Sequence, residues 1–444
     1  MKLWHVALLS VFSIIFYRLF SPDIVYTIII TVAAIFGFFI FKEKRDIIIY
    51  ILIFLVYQIT SNMFIFNGKF NENLNYSVRG EMVNNIINVS YINGQGLFSK
   101  VVLKPENVID FKGRGNFRIK VEKVNNLKGK IYLDGKIISV EKTIFDKIRD
   151  YLSFRIEKTC FNKITAGVMK ALIIGDSSML PKNVNDAFKR TGTSHVLVIS
   201  GLHIAMMTLI ILKLMEYINI GYTKRHISAL IFLSFYSFTV GMTPSVARAY
   251  IMGATFLIAK IFWEESDLEK SFMLSTIIVA LLDPASIFSI SFLLSYGALA
   301  AIIYVYEMVR IEKESPFIDL LKLSFIIQLM LSPIFIYYFG KMPLLSFLAN
   351  LIAVPVGNIA VETGFFIMAL IIILPFGSWI YGIILEYITR TLLFYIYILD
   401  KIPFMQIEVK SNYETIFILF YIVLVGTGVY FYRNRLEKKK SNII

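Results

Sequence analysis

The most informative stretch is residues 175–215, GDSSMLPKNVNDAFKRTGTSHVLVISGLHIAMMTLIILKLM, where a polar approach leads into an apolar run long enough to cross a bilayer. Polar or small residues lie near the start of that run: Thr191, Thr193, Ser194, His195, Ser200, Gly201 and His203. Polar and titratable side chains are costly in a membrane helix unless they face protein or water. Their clustering therefore predicts a lined cavity or pathway, because an anchoring helix would not need them.

The composition indicates a membrane protein with many spans. The 444 residues are 57% hydrophobic and have a mean hydropathy of +0.69, above what a soluble domain of this length carries. Apolar runs near the roughly 20 residues that span hydrocarbon lie at 3–20, 23–41, 46–66, 195–217, 226–243, 245–263, 286–306, 323–340, 356–374, 377–399 and 413–432, with a shorter run at 271–283. The predicted fold class is a polytopic all-α membrane protein with about 12 spans.

The placement of positive charge predicts the orientation in the membrane. The formal net charge is +14, and basic clusters lie at 42–45, 224–225 and 433–440. Short loops rich in Lys and Arg stay cytoplasmic. Both termini are therefore predicted to be cytoplasmic, with 67–165 on the outer side of the cytoplasmic (inner) membrane. This order requires 344–355 to enter and leave on one side, as a re-entrant or interfacial element.

Residues 67–142 differ in character from the rest of the chain. They are polar, and their alternating runs predict β-strands at about 76–83, 86–92, 97–103, 116–124 and 130–140, which fit a small extracytoplasmic OB-like barrel. Residues 143–165 keep apolar side chains near helical spacing, which predicts an amphipathic helix that lies on the membrane plane or braces the insert on the bundle. The other predicted segments are a three-helix membrane segment at 1–66, a transmembrane bundle at 166–375, C-terminal transmembrane helices at 376–432 and a basic cytoplasmic tail at 433–444.

The predicted barrel is basic. Residues 67–150 hold 15 Lys and Arg against 9 Asp and Glu, a net charge of +6. The candidate receiving surface consists of Lys112, Arg114, Arg118, Lys120, Lys128 and Lys130. A basic small barrel suits a polyanion, because neutralising phosphates releases counterions. The alternative is a solvated lysine-rich surface near anionic lipid headgroups, and the sequence leaves both open.

Four motifs follow one another over about 165–375. They are the run from Ala171 to Met207, the segment MTPSVARA from Met242 to Ala249, the Leu282-Asp283-Pro284 triplet with FLLSY from Phe292 to Tyr296, and Gln328 through Pro355, ending FLANLIAVP. Together they resemble the ComEC family of bacterial competence proteins, the channels that carry transforming DNA across the cytoplasmic membrane. The segment 67–142 has the position and size of that family's N-terminal insert.

The resemblance implies a substrate and partners. The substrate would be single-stranded DNA, received by the basic surface, and the partners a surface DNA receptor, a cytoplasmic helicase-like motor and a separately encoded nuclease. No G-x-x-x-x-G-K-[ST] motif is present, so the work of translocation is expected to come from a partner. A homo-oligomer is left open.

Two features depart from the family's pattern. Leu293 stands where the family often has a glutamine. Many relatives continue into a metallo-β-lactamase-like domain, whose metal chemistry needs closely spaced His and Asp residues, whereas this sequence has 4 histidines. We therefore expect no metal site, no cofactor and no DNA cleavage by that route. The single cysteine, Cys160, excludes an intramolecular disulfide.

The two histidines of the opening stretch are candidates for lining a path. His195 and His203 are eight residues apart, which on a helix places them roughly on one side and two turns from each other, with Ser194, Ser200 and Gly201 beside them. Such a face either lines a wet path for phosphates or packs against a neighbouring helix, where Ser bonds across and Gly permits close approach. Both interpretations stay open.

The remaining candidates for path lining are Asp176, Arg248, Gln328, Asn350 and Glu362. Arg248 either holds a phosphate bidentately or extends to the headgroups, and Asp176 is expected to cap or turn the chain. Glu362 lies at membrane depth without a sequence-local partner. With Gln328 and Asn350 it would line a cavity, because the prolines and glycine within 343–357 are expected to break helices there.

The sequence therefore predicts a channel for uptake of single-stranded DNA, with no catalytic residue. One alternative is a secondary transporter or flippase for a smaller anionic solute, which broken helices would accommodate. Another is an intramembrane hydrolase that uses Ser200 with His195 or His203. A third is a family member that acts as a non-transporting partner.

Overall fold

The computed structural model of the chain describes residues 3–20, 45–66, 70–83, 85–107, 111, 113–127, 130–310, 315–402 and 405–409. The predicted spans at 23–41 and 413–432, the basic tail, Lys112 and Lys128 lie outside these ranges. The chain forms two units: the first comprises Met1–Tyr151 and Leu214–Ser289, and the second comprises Leu152–Lys213 and Ile290–Ile444.

Five strands in the first unit form a closed barrel through four antiparallel pairs and one parallel pair. The strands are β1 Asn75–Val83, β2 Ile86–Ile92, β3 Gln95–Pro105, β4 Gly113–Leu127 and β5 Lys130–Glu141. Their order is β1-β2-β3-β5-β4, closed between β4 and β1, and the β3–β5 pair is the parallel one. Alternation of apolar and polar residues builds the interior, where Val78, Phe117 and Leu133 have no exposed surface. The five predicted strands are all present, and a barrel of this size is what the OB-like prediction requires.

Thirteen α-helices of nine residues or more lie in the described part of the chain. They are α1 Leu3–Phe20, α2 Arg45–Phe64, α3 Ile144–Thr159, α4 Lys163–Ile174, α5 Lys182–Arg190, α6 Gly201–Tyr217, α7 Tyr222–Val240, α8 Pro244–Ile261, α9 Leu268–Leu282, α10 Ile290–Ala300, α11 Pro316–Phe339, α12 Ser346–Ile373 and α13 Ser378–Asp400. A π-helical segment, Ala301–Tyr306, and a short turn, Glu307–Val309, continue α10. Short 3-10 turns occur at Ser194–Val196, Pro284–Phe288 and Pro375–Gly377.

Local sequence sets several helix ends. The Asn162 side chain accepts the Ile164 N–H at 2.9 Å and begins α4, and Gly175, with φ +66°, ends it in the left-handed region. Thr143 and Asp146 form a capping box at the start of α3: the Asp146 N–H donates to Thr143 Oγ1, and the Thr143 N–H donates to Asp146 Oδ2. These caps explain why the predicted amphipathic segment divides into α3 and α4.

The chain is a membrane protein. Four helical stretches in the described residues are long and apolar enough to cross a bilayer: Ser194–Tyr217, Pro316–Phe339, Ser346–Ile373 and Ser378–Asp400. Shorter apolar helices span Leu3–Leu19, Ile48–Phe64 and Ile290–Tyr306. The predicted total of about 12 spans stays a prediction.

One predicted break is absent. Residues 346–355 are the first turns of α12, which continues through Pro355 to Ile373 without a separate re-entrant element. These residues therefore make no crossing of their own, and the predicted orientation of the termini stays a prediction. The helix tolerates Pro355 because a proline removes a single i to i−4 hydrogen bond, and flanking turns hold the backbone. Gly357 provides close packing against Val196 and does not end the helix. With 28 residues, α12 is about 42 Å long, which exceeds the roughly 30 Å of hydrocarbon.

Candidate functional site

The opening stretch folds as a helix, a turn and a second helix within residues 182–217. Helix α5 ends at Arg190, a 3-10 turn covers Ser194–Val196, and α6 begins at Gly201. The prediction that His195 and His203 share one face of a continuous helix is therefore wrong. The reason is that residues 197–200, which lie between the two histidines, are not helical. Gly192, with a φ of +71°, reverses the chain earlier, just after α5. His195 has an exposed side chain, whereas His203 is buried.

Two buried threonines complete the end of α5. Thr191 Oγ1 donates to the Ala187 carbonyl at 3.0 Å and lies 2.7 Å from Thr193 Oγ1. Neither side chain has exposed surface. The predicted path-lining residue Thr193 thus satisfies polar groups inside the protein.

His203 holds the start of α6. Its Nδ1 accepts the backbone N–H of Ser200 at 3.1 Å, so this ring nitrogen carries no proton. The contact from Ser200 is made by its backbone and not by its hydroxyl. A nucleophile and base need a hydroxyl-to-imidazole hydrogen bond, and none joins Ser200 to either histidine among the described residues. Ser194, Ser200 and Gly201 are half-buried.

Gln328 clamps α11 to the start of α12. Its Nε2 donates to the carbonyls of Pro343 and Leu344, the latter at 2.8 Å, and its Oε1 accepts from Ser346 Oγ at 2.6 Å and from the Phe347 N–H at 2.8 Å. All four bonding positions of the amide are used. Gln328 therefore satisfies one N–H group, that of Phe347, in the first turn of a long helix, a role that the local sequence does not indicate.

The clamp lies beside the turn after α5. A Cβ placed on Gly192 would lie 2.5 Å from Ser346 Cβ and 2.8 Å from Pro343 Cβ, so the turn packs directly on the start of α12. Asn350 follows one turn later on α12, and its buried Oδ1 accepts no hydrogen bond from the described residues. The structure thus brings Gln328 and Asn350 close to the Thr193 turn, as a polar region inside the second unit.

Asp176 and Glu362 differ in their surroundings. Asp176 Oδ1 accepts the Ser178 N–H at 3.0 Å and forms the expected turn after α4. Glu362 has an exposed side chain on α12, and it makes no hydrogen bond or ion pair with any described residue. A carboxylate on a helix of this apolarity is costly in lipid. It therefore marks a part of α12 that faces either water or protein.

Arg248 and the basic barrel residues belong to the first unit. Arg248 is half-buried in the first turns of α8, which the Thr243 side chain caps. Arg114 donates to the Val240 carbonyl at the end of α7. Burial, followed by the nearby Arg149 charge, lowers the pKa of Arg114 below its ordinary value. Arg114 is thus held against a helix end.

The remaining predicted cations form a basic face on the barrel. Arg118 and Lys120 are exposed on β4 and alternate with buried apolar residues, and Lys130 is exposed on β5. Register adds two residues that the linear sequence did not single out: Lys136 lies opposite Lys120, and Lys100 lies opposite Lys130. We call these five residues the basic face. Like charges directly opposite each other destabilise a sheet, although Glu122 forms an ion pair with Lys136 at 3.0 Å.

Comparison with known proteins supplies the family. The family model described as "Competence protein" matches residues 172–434, more than half of the chain. ComE operon protein 3 of Bacillus subtilis (strain 168) is 28% identical over 232 residues, which are 51% of this chain and 30% of that protein. Recombination protein 2 of Haemophilus influenzae is 27% identical over 234 residues, 47% of this chain and 30% of that protein.

Competence protein ComA of Neisseria gonorrhoeae is 26% identical over 209 residues, 43% of this chain and 28% of that protein. The aligned region spans 30% or less of these curated relatives. No solved structure matches the chain. The matched region contains α5 to α13, the Gln328 clamp and all four motifs that suggested the resemblance, apart from the first residue of the first motif. The chain belongs to the ComEC-type competence protein family.

Proposed function

We propose that this protein forms a path for single-stranded DNA across the cytoplasmic membrane during uptake of transforming DNA. The observation that carries the proposal is an exposed basic face on a closed barrel, joined to the membrane helices of a competence-family protein. The barrel would lie outside and both termini inside. A surface receptor, a cytoplasmic motor and a separately encoded nuclease would complete the system.

The basic face suits a phosphate chain for electrostatic reasons. Its cations lie on three adjacent strands, β3, β5 and β4, so they form rows along which a strand could lie. Each phosphate that is neutralised releases a counterion, which favours binding and makes it dependent on salt. Lys136 is partly engaged by Glu122 at 3.0 Å, which leaves Lys100, Arg118, Lys120 and Lys130 as the strongest candidates for contact.

The second unit would provide polar groups along the path. Asn350 offers a buried carbonyl oxygen without a described donor, and Glu362 offers a carboxylate at membrane depth. Both lie on α12, three turns apart. The polyanion is repelled by a carboxylate, so Glu362 would face water or protein beside the path and would not bind phosphate.

Binding tests the receiving role. The full chain in lipid nanodiscs is titrated with a fluorescent single strand at several salt concentrations. In the triple variant Arg118→Gln, Lys120→Gln, Lys130→Gln, loss of three phosphate contacts lowers the slope of log K against log salt by about 2, at about 0.7 per contact on a single strand. At about 0.1 M salt, this corresponds to roughly a 100-fold loss of affinity.

A second triple variant controls for total charge. Lys189→Gln, Lys270→Gln and Arg310→Gln remove the same charge from exposed helical positions, where each cation is paired with an acid three residues away. This variant should bind like the wild type. An equal loss in both triples would indicate a general charge effect and would contradict the proposed basic face.

Transport separates the proposal from its alternatives. The wild-type protein or the first triple variant is expressed in a naturally competent bacterium whose own competence protein of this family has been deleted. Transformation frequencies of the two strains are then compared. If the substrate is a smaller anionic solute, the protein should show no salt-dependent affinity for DNA, and it should carry that solute across the membrane of liposomes. A hydrolase predicts that Ser200 reacts with a serine-directed probe, an outcome that the Ser200 backbone contact to His203 argues against.

A further inference from the structure

The Asp283 to Phe288 segment, which follows α9, supports the barrel within the first unit. Asp283 Oδ2 accepts a hydrogen bond from Tyr91 Oη, on β2, at 2.8 Å. A hydrogen bond to an ionised carboxylate is stronger than a neutral one. The triplet Leu282-Asp283-Pro284 was one of the family motifs, and the proposed path gives it no role.

Close backbone packing adds to this hydrogen bond. A Cβ placed on Gly96, in β3, would lie 3.0 Å from both Ala285 Cβ and Asp283 Oδ1. The Gly96 carbonyl accepts the Phe66 N–H at 2.9 Å, just after α2. The beginning of β3 is therefore held by the end of one helix and by the segment that follows another.

An aromatic and cationic contact completes the joint. Phe98, on β3, meets Phe288 edge to face with 5.3 Å between ring centroids. The Arg18 guanidinium lies 4.2 Å from the Phe288 centroid and 5.4 Å from that of Phe98. Tyr17, Ile65 and Ala285 form a buried cluster beneath Phe98. Such contacts add attraction between the barrel and the helices beyond apolar burial.

A second joint holds other strands of the same barrel. Arg79, on β1, donates to both oxygens of Asp146 at 2.8 Å, and Arg149 reaches Glu81 at 3.3 Å. One joint acts on β2 and β3 and the other on β1. Helix α3 is itself packed on α7, where the Phe145 and Phe238 rings stack with 5.4 Å between centroids. The barrel is therefore held to the first unit's helices at two separate places, which opposes its rotation about either one.

We propose that Asp283 is a positioning residue, which through Tyr91 fixes the barrel on the first unit's helices so that its basic face keeps one orientation during transport. The predicted effect of Asp283 on DNA uptake depends on the proposed function. The attachment of the barrel itself is measured without DNA.

Hydrogen exchange of the full chain in nanodiscs measures the attachment. Tyr91→Phe keeps the ring and removes the donor, and it should accelerate exchange of the Ser286 and Ser289 amides at least tenfold. Tyr132→Phe makes the same change elsewhere on the barrel, at β5, and should leave those amides unchanged. Unchanged exchange in Tyr91→Phe would overturn the proposal.

A reversible crosslink tests positioning directly. In a Cys160→Ser background, Gly96→Cys with Ala285→Cys places two thiols across the joint, since the two Cβ positions need open by under about 1 Å to reach disulfide geometry. Mild oxidation should join them. The matched pair Ile138→Cys with Ala285→Cys uses an exposed β5 position and should stay unjoined.

Rescue distinguishes positioning from a direct role in transport. Asp283→Ala should lower transformation at least tenfold, oxidation of the Gly96–Ala285 cysteine pair in that variant should restore it, and reduction should abolish it again. Failure of the oxidised pair to restore transformation would overturn the proposal. If the wild type does not support transformation, the proposed function fails, while the exchange and crosslinking results still decide whether the joint exists.

Discussion

Replacing Gln328 with leucine should release the start of α12. The side chain is buried and uses both its nitrogen and its oxygen to hold the Pro343 to Phe347 segment. Leucine has a similar volume but no polar atom. The change therefore removes the bonds without creating a large cavity, and it leaves the Phe347 N–H without its acceptor.

The size of the effect follows from the four hydrogen bonds. Each contributes about 1 kcal/mol net, for a total of about 4 kcal/mol. Leucine recovers roughly 1 kcal/mol through the apolar surface that it buries. The expected local destabilisation is thus about 3 kcal/mol, which corresponds to roughly a 100-fold increase in opening of this segment.

Hydrogen exchange with mass spectrometry on the nanodisc-embedded protein measures that opening at the Phe347 amide. Gln95→Leu is the matched control, because Gln95 makes one hydrogen bond, to the Met63 carbonyl, and its loss should change local exchange less than about tenfold. Exchange at Phe347 within threefold of the wild type in Gln328→Leu would refute the clamp.

Three further changes have defined outcomes. Gly192→Ala combines a left-handed backbone with a clash at Ser346 and should lower the midpoint of thermal unfolding, at a cost of about 2 kcal/mol or more. Burial alone would raise the pKa of Asp146, but hydrogen bonds from Arg79 and Thr143 hold that pKa below its ordinary value. The resulting stabilisation is complete above the ordinary carboxyl range and is lost as pH falls through the lowered pKa, so Asp146→Asn should make barrel stability, measured by hydrogen exchange, less dependent on pH under acidic conditions. Gly135→Ala directs a methyl group at the Lys120 carbonyl and should destabilise the barrel by about 1–3 kcal/mol without affecting α12. Hydrogen exchange measured separately for the barrel and for α12 checks this prediction.

The sequence predicted the barrel well because strand periodicity is a local signal. Alternation such as Phe117-Arg118-Ile119-Lys120 determines which side chains face inward, and the structure places them so. Most helices followed from apolar runs in the same way. Strand register depends on pairing between distant segments. The cross-strand neighbours that add Lys100 and Lys136 to the basic face therefore could not be deduced from the sequence.

The candidate path was harder to predict, because several of its polar residues, such as Thr193 and Gln328, have individual partners. Spacing suggested that His195 and His203 share a face, but the non-helical residues 197–200 separate them. Pro355 was expected to break a helix that neighbouring turns sustain. Gln328 was expected to line a cavity, whereas its amide caps a helix that begins 18 residues later. None of these outcomes is contained in hydropathy or in spacing.

Closure of the barrel limits how it can associate with other polypeptides. Every strand has two neighbours, so no row of unsatisfied amides is offered to another polypeptide. Edge-to-edge aggregation, a hazard for open sheets, is thereby suppressed. Any recognition by this module must come from its side chains.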